Sequence, residues 1–384
     1  MSGSLAEIAA VFLKVGLIAV GGPAAHVALM RREVVVRRHW VDEKTFLDDF
    51  AACQLIPGPS STELAILLGY RRGGAPGLII AGTLFILPAA LMMLALAWLY
   101  SRFASTAIFA GALHGVRPVV VAVMAWALLD LGRRIVTGPF VALVALVVMA
   151  AALVGVNPIV LLLIGGLAVV AQRRISHPSS PSPSGGAQGP SAPSSSGGGR
   201  GWGWMVATAP TNTALLGIFL TFLKYGVVSF GSGYVLFAFL HTDVVQTYHW
   251  LTTQQLIDAV AISQATPGPV FTVATYIGFL VAGLGGALVA TVGIFLPGFV
   301  LIPFLERIVR VVNQYGWAKA FLDGVNVAAM GLIAAVAIQL GQAALVDPLT
   351  ITIALLSFAV LLRFPLAAPG LVSAGGIAGL IAGR

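Results

Sequence analysis

Two lysines, Lys14 and Lys224, stand in the middle of apolar stretches, each about two helical turns ahead of a glycine cluster. A charge at the centre of a membrane helix costs roughly 2.5 to 3.5 kcal/mol on insertion scales, so such a lysine either snorkels or serves a function. At this depth the function is positive charge for an anionic substrate. The stretches run into Gly21, Gly22, Pro23 and His26 in one case and into Ser229, Gly231, Ser232 and Gly233 in the other. Glycine admits unusual torsions and proline removes a donor, so each helix breaks there, and the next N-terminus offers free N–H groups and about +0.5 charge to an anion. A second break recurs as Pro57, Gly58, Pro59 and as Pro267, Gly268, Pro269. The first copy is followed by the hydroxyls of Ser60, Ser61 and Thr62. Gln54 and Gln264, three residues before their prolines, either contact ligand or brace the turn.

Titratable groups near these breaks are candidates for coupling. Glu63 follows the first Pro-Gly-Pro turn as a proton site or as a carboxylate stabilising the helix N-terminus. His114 and Arg117, with their counterparts Asp323 and Asn326, either couple protons to transport or cap helix ends at an interface. Paired carboxylates at catalytic spacing, a His-rich metal cluster and a phosphate loop are all missing from the sequence, so neither an enzyme nor a metal or cofactor site is expected.

Lipid is the solvent in which these elements must be held. Of 384 residues 59% are hydrophobic and 9% charged, with a mean hydropathy of +0.99, whereas about a quarter of the residues of a soluble chain are charged. The net charge of +8 sits beside apolar segments rather than on one amphipathic face, which points to membrane topology and not to nucleic acid. No cleavable signal peptide is read at the N-terminus, and Cys53, the only cysteine, excludes an internal disulfide.

The chain is duplicated. Lys14, Gly21, Trp40, Asp48 and Gln54 recur 210 residues on as Lys224, Gly231, Trp250, Asp258 and Gln264, and Pro88, Gly115 and Pro139 recur 209 on as Pro297, Gly324 and Pro348. A Ser/Pro/Gly linker, expected to be disordered and cytoplasmic, separates the copies. The division expected is 1–174, linker 175–205, and 206–384. Each half reads as six apolar segments, in the first half 5–30, 46–70, 76–100, 105–132, 138–155 and 157–172, helical because helices satisfy their own backbone in lipid. Arg31, Arg32, Arg37, Arg38 and Lys44 put the first loop inside, and Arg71 and Arg72 fall on that same side if segment two is a re-entrant hairpin. Each half then crosses five times, and the odd count inverts the second half. The expected fold is thus an all-α polytopic membrane protein of two inverted repeats, each of about five transmembrane helices plus a re-entrant helical hairpin.

Taken together, Gly21, Gly22, Pro23, Ala25 and His26, Trp40, Gln54 with Pro57 to Pro59, Gly69 with Tyr70, and the set Gly231, Gly233, Tyr234, Gln264, Pro267 to Pro269, Gly278 and Pro297 resemble the chromate ion transporter family in its long-chain, two-domain form. The resemblance implies chromate export across the bacterial inner membrane, driven by the membrane potential or a proton gradient, and sulfate or related oxyanions for some members. A tetrahedral dianion suits helix N-termini, hydroxyls and lysines. Uptake of sulfate or a related oxyanion would use the same site. The partners expected are the oxyanion, the lipid bilayer and coupling protons, with a homodimer left open. The family's Ser-Phe before the glycines is present as Ser229 and Phe230 but replaced by Ala19 and Val20 in the first half.

Overall fold

The computed structural model describes residues 4–20, 22–176, 211–230, 233–364 and 367–382. Gly21, Gly231, Ser232 and the linker from residue 177 onward lie outside the described residues. Every element among those described is helical, as the lipid-compatible composition requires. In the first half these are α1 (Leu5–Ile18), α2 (Gly22–Arg31), α3 (Glu43–Cys53), α4 (Ser60–Phe103), α5 (Ala107–Ile135), α6 (Pro139–Leu153) and α7 (Pro158–Ser176). The second half repeats them as α8 (Thr211–Val228), α9 (Val235–Leu240), α10 (Thr253–Ala265), α11 (Val273–Leu301) continued by α12 (Leu305–Gln314), α13 (Gly316–Ala344), α14 (Pro348–Arg363) and α15 (Ala368–Ala382), α11 and α12 together matching α4. Short π-helical stretches, Arg32–Arg37 and His241–Thr247, extend α2 and α9. Five stretches are long and apolar enough to cross a membrane: Ser60–Phe103, Ala107–Ile135, Pro158–Ile175, Val270–Gln314 and Gly316–Ala344.

Segment two has the hairpin form expected of it. α3 runs into the Pro-Gly-Pro turn, α4 leaves it, and α4 reverses again at Gly73 and Gly74, where the torsions are not helical. Gly74 has φ +62° and its counterpart Gly283 φ +59°, a region that favours glycine. The two limbs of α4 touch at Gly69, where a Cβ would overlap Ala81 and the Gly77 carbonyl; in α11, Gly278 meets Gly286 and Ala290 in the same way. Gly-to-Gly contact lets helix backbones approach closely in lipid.

Segment one differs from the expectation. It does not continue across the membrane as a broken helix but turns back on itself. Trp40 donates its indole N–H to Glu7 at 3.1 Å, Arg38 lies 3.7 Å from the same carboxylate, and Phe12 packs on Trp40 at 6.4 Å. A straight helix at 1.5 Å per residue would put residues 7 and 40 roughly 50 Å apart. The break at Ala19 and Val20 therefore reverses the chain. Arg72 joins the same cluster, 3.3 Å from Glu7 and 5.2 Å over the Trp40 ring, so the start of α1, the first loop and the α4 bend share one face.

The long helices of the two halves run in opposite senses. Tyr100, near the end of α4, packs on Tyr276 in the first turns of α11 at 5.7 Å. Conversely Ile302 and Leu305, which follow α11, join the core formed by Leu64 to Leu68 of α4.

Candidate functional site

Where the two halves meet, each Pro-Gly-Pro turn binds the broken helix of the other half. The backbone N–H of Gly58 donates to the Ser229 carbonyl at 2.8 Å, and that of Gly268 donates to the Ala19 carbonyl at 3.0 Å. The donors are 210 residues apart and so are the acceptors, so the bonds form a reciprocal pair. Local sequence explains each partner. Ala19 and Ser229 are the first residues after their helices, where carbonyls lack intrahelical donors, and the turn glycines hold φ +127° (Gly58) and +90° (Gly268), which turns their N–H groups outward from the hairpin.

Side chains at the two crossings are unequal. Beside Gly58 the Glu63 carboxyl is wholly buried and so close that a Cβ on Gly58 would overlap it. Neither Glu63 oxygen has a hydrogen-bond partner among the described residues, nor do Thr62 Oγ1 and Ser229 Oγ, both buried. His26 Nδ1 lies 3.1 Å from Ser61 Oγ. At the crossing beside Gly268 the counterparts of Glu63, Ser61, His26 and Ser229 are Val273, Phe271, Leu236 and Ala19, all buried. Thr62 keeps its hydroxyl in the counterpart Thr272, which donates to the Pro269 carbonyl at 2.8 Å, so the second crossing lacks the acid, the histidine and two of the hydroxyls of the first.

The lysines carry a second symmetric pair. Lys14 Nζ lies 2.8 Å from Glu33, and Lys224 is ion-paired to Asp243, 210 residues from Glu33. Glu33 also binds Arg37 at 3.0 Å and Arg38, while Asp243 accepts from the Tyr225 hydroxyl at 3.0 Å. Both acids lie in the π-helical returns of the hairpins. The positive charge expected to face an anion is thus paired with a carboxylate in each hairpin, and each pair ties the two limbs of its hairpin together. Glu33 and Asp243 were missed, although acids at repeat-equivalent positions were a signal for them.

The remaining candidates separate. Arg117 makes a two-point pair with buried Asp258 of the other half, Nε to Oδ1 at 2.7 Å and Nη2 to Oδ2 at 3.0 Å, and Tyr100 donates to the same carboxylate at 2.9 Å. His114 lies 2.8 Å from Asp347 and Asp323 lies 2.6 Å from Arg173, so neither is brought to the crossings. Asn326 is half-buried on α13. Gln264 is buried and hydrogen-bonds the Tyr234 side chain, whereas Gln54 is exposed. Pro57 and the Pro267 to Pro269 turn are buried, Pro59 and Ser60 half-buried. Gly22, at the start of α2, has φ +78°, and Pro23 follows it. Gly233 faces Phe271. Among the described residues no group of His, Cys, Asp or Glu could hold a metal.

A sequence profile described as chromate transporter matches residues 6–170 and again 216–380. The chain belongs to this family. It is therefore a multi-pass integral membrane transporter, which in bacteria resides in the inner membrane, and not an enzyme. Among its relatives, this family member is 32% identical over 383 residues to a chromate transport protein of Cupriavidus metallidurans, covering 99% of the present chain and 93% of the relative. It is 34% identical over 365 residues to a chromate transport protein of Pseudomonas aeruginosa, covering 94% and 87%, and 33% identical over 359 residues to a probable chromate transport protein of Synechococcus elongatus, covering 92% and 89%. No solved structure matches it significantly.

Proposed function

We propose that the protein exports chromate from the cytoplasm as a secondary active transporter, with the oxyanion bound between the two broken-helix motifs near the bilayer midplane. The single observation that carries this reading is the reciprocal bonding of Gly58 to Ser229 and Gly268 to Ala19. In this reading the two bonds gather the chain breaks, with the helix N-termini that follow them, between the halves, and such N-termini favour anions. The names of the relatives supply the chromate.

The halves, 1–174 and 206–384, act as inverted repeats in this reading. Support comes from the opposed senses of α4 and α11 and from the cleft in which Tyr70 and Arg71 of one half meet Pro303 and Glu306 of the other. Arg307 and Arg310 follow Glu306 in the chain as Arg72 follows Arg71, and in this reading they share its face. A single basic face agrees with the positive-inside rule. Outward movement of a dianion is favoured by an inside-negative potential, and coupled protons modulate it.

Cells with and without the gene, given radiolabelled chromate, test the direction. Lower accumulation in cells that express the protein is expected; higher accumulation would overturn export.

A further inference from the structure

The proposed transport reading leaves one group unused. Glu63 is an acid with 0% exposure, both oxygens lack a hydrogen-bond partner among the described residues, and its carboxyl lies over Gly58, the residue that joins the two halves. Thr62 and Ser229, 1% exposed each, add two hydroxyls without partners at the same crossing. A buried polar group without a partner is costly, and three at one crossing, where the equivalent places hold apolar Val273 and Ala19 and a Thr272 whose hydroxyl is satisfied by the Pro269 carbonyl, mark a site and not a packing defect.

We propose that this crossing is the protein's one proton-and-oxyanion site, and that the Glu63 carboxylate takes up one proton as the anion binds, so that proton and oxyanion occupy it together. The proposal rests on the transport reading. In the step, a proton from water joins one Glu63 oxygen, the group changes from −1 to neutral, and the new O–H becomes a donor beside the Thr62 and Ser229 hydroxyls. Without that proton a carboxylate and a dianion would face each other in a low-dielectric site, where like charges exclude one another. With it, the site gains a donor and loses the repulsion.

Few other charges face Glu63. From α3 comes the Cys53 thiol, on whose other side lies Asp49, paired with Arg71 at 2.6 Å. From α2 comes His26, held by Ser61. α11 presents Gly298 and the α8 end presents Ser229, neither titratable. Lys14 is engaged by Glu33 and leaves Glu63 without a cation.

The test counts protons taken up by the purified full chain in lipid nanodiscs, weakly buffered at a series of alkaline pH values reaching those at which the buried carboxyl of the free protein is ionised, when chromate is added and its binding is measured in parallel with radiolabel. About one proton per bound anion is expected, with affinity falling about tenfold per pH unit on the alkaline side. Glu63→Gln, which mimics the protonated group, is expected to bind chromate without proton uptake and with pH-independent affinity. Chromate binding by the wild type without proton uptake, or equal uptake by Glu63→Gln, overturns this proposal alone. Absence of any chromate binding overturns the transport reading and this proposal with it. Should the variant not fold, the wild-type proton count decides by itself.

Discussion

Gly58 gives its backbone N–H to the Ser229 carbonyl at 2.8 Å, and this bond ties the turn of one half to the break of the other. Its twin, Gly268 to Ala19, makes the junction two-fold at the backbone while the side chains around it are not.

Gly58→Ala is therefore expected to be severe. At φ +127° a Cβ is strained by about 1–3 kcal/mol, and it overlaps the Glu63 carboxyl. Chromate flux through proteoliposomes is expected to fall at least about tenfold, since small displacements of a binding site have large effects. The melting temperature of the same sample gives the strain. Gly268→Ala carries the same kind of backbone strain at φ +90° and meets the Ala89 Cβ, which cannot swing aside as the Glu63 carboxyl can, so its loss of thermal stability is expected to be at least as large.

Lys224→Ala is expected to harm the protein more than Lys14→Ala. Glu33 keeps Arg37 and Arg38 when Lys14 is removed, whereas Asp243 keeps, among the described residues, a tyrosine hydroxyl. Because the Lys224 side chain is 33% exposed, the cost is about 1–3 kcal/mol, below that of a fully buried pair. Thermal stability of the two variants checks the order, and Lys224→Ala combined with Asp243→Asn is expected to recover most of the loss.

Arg117 and Asp258 form a buried pair that crosses between the halves. Arg117→Ala leaves Asp258 buried without a cation and is expected to cost about 3–5 kcal/mol. Replacing both residues is expected to cost less than the sum of the single changes, which a double-mutant cycle on unfolding measures. Additive losses would show that the pair contributes no coupling.

Much of this arrangement was legible in the sequence. The repeat fixed which residues are equivalent, and the four breaks fell where Gly and Pro interrupt apolar runs, because backbone chemistry is local. Pairing across the fold was not legible. Lys14 looked like a free cation because Glu33 reaches it only after segment one turns back, and hydropathy cannot tell a helix that breaks and continues from one that breaks and returns. Arg117 was recognised as an intramembrane cation, but its partner Asp258 lies 141 residues away in chain, beyond any local pattern. The differences Glu63 against Val273 and Ala19 against Ser229 were visible singly. Only the Gly58–Ser229 bond shows that both polar members belong to one crossing.

Opposite orientation of the halves is open to labelling. In a Cys53→Ser background, Val36→Cys and Gln246→Cys place thiols at exposed, repeat-equivalent positions. A membrane-impermeant maleimide is expected to reach position 246 from outside intact cells and position 36 only after lysis. Labelling of both from the same side would contradict inversion.

The most direct measurement is efflux of radiolabelled chromate from proteoliposomes holding the purified full chain under an imposed inside-negative potential. The expected result is saturable efflux, faster than from empty liposomes and nearly lost in Gly58→Ala protein that still melts cooperatively. Efflux no faster than from empty liposomes, or unchanged in that variant, would contradict an oxyanion path through the crossing of the two halves.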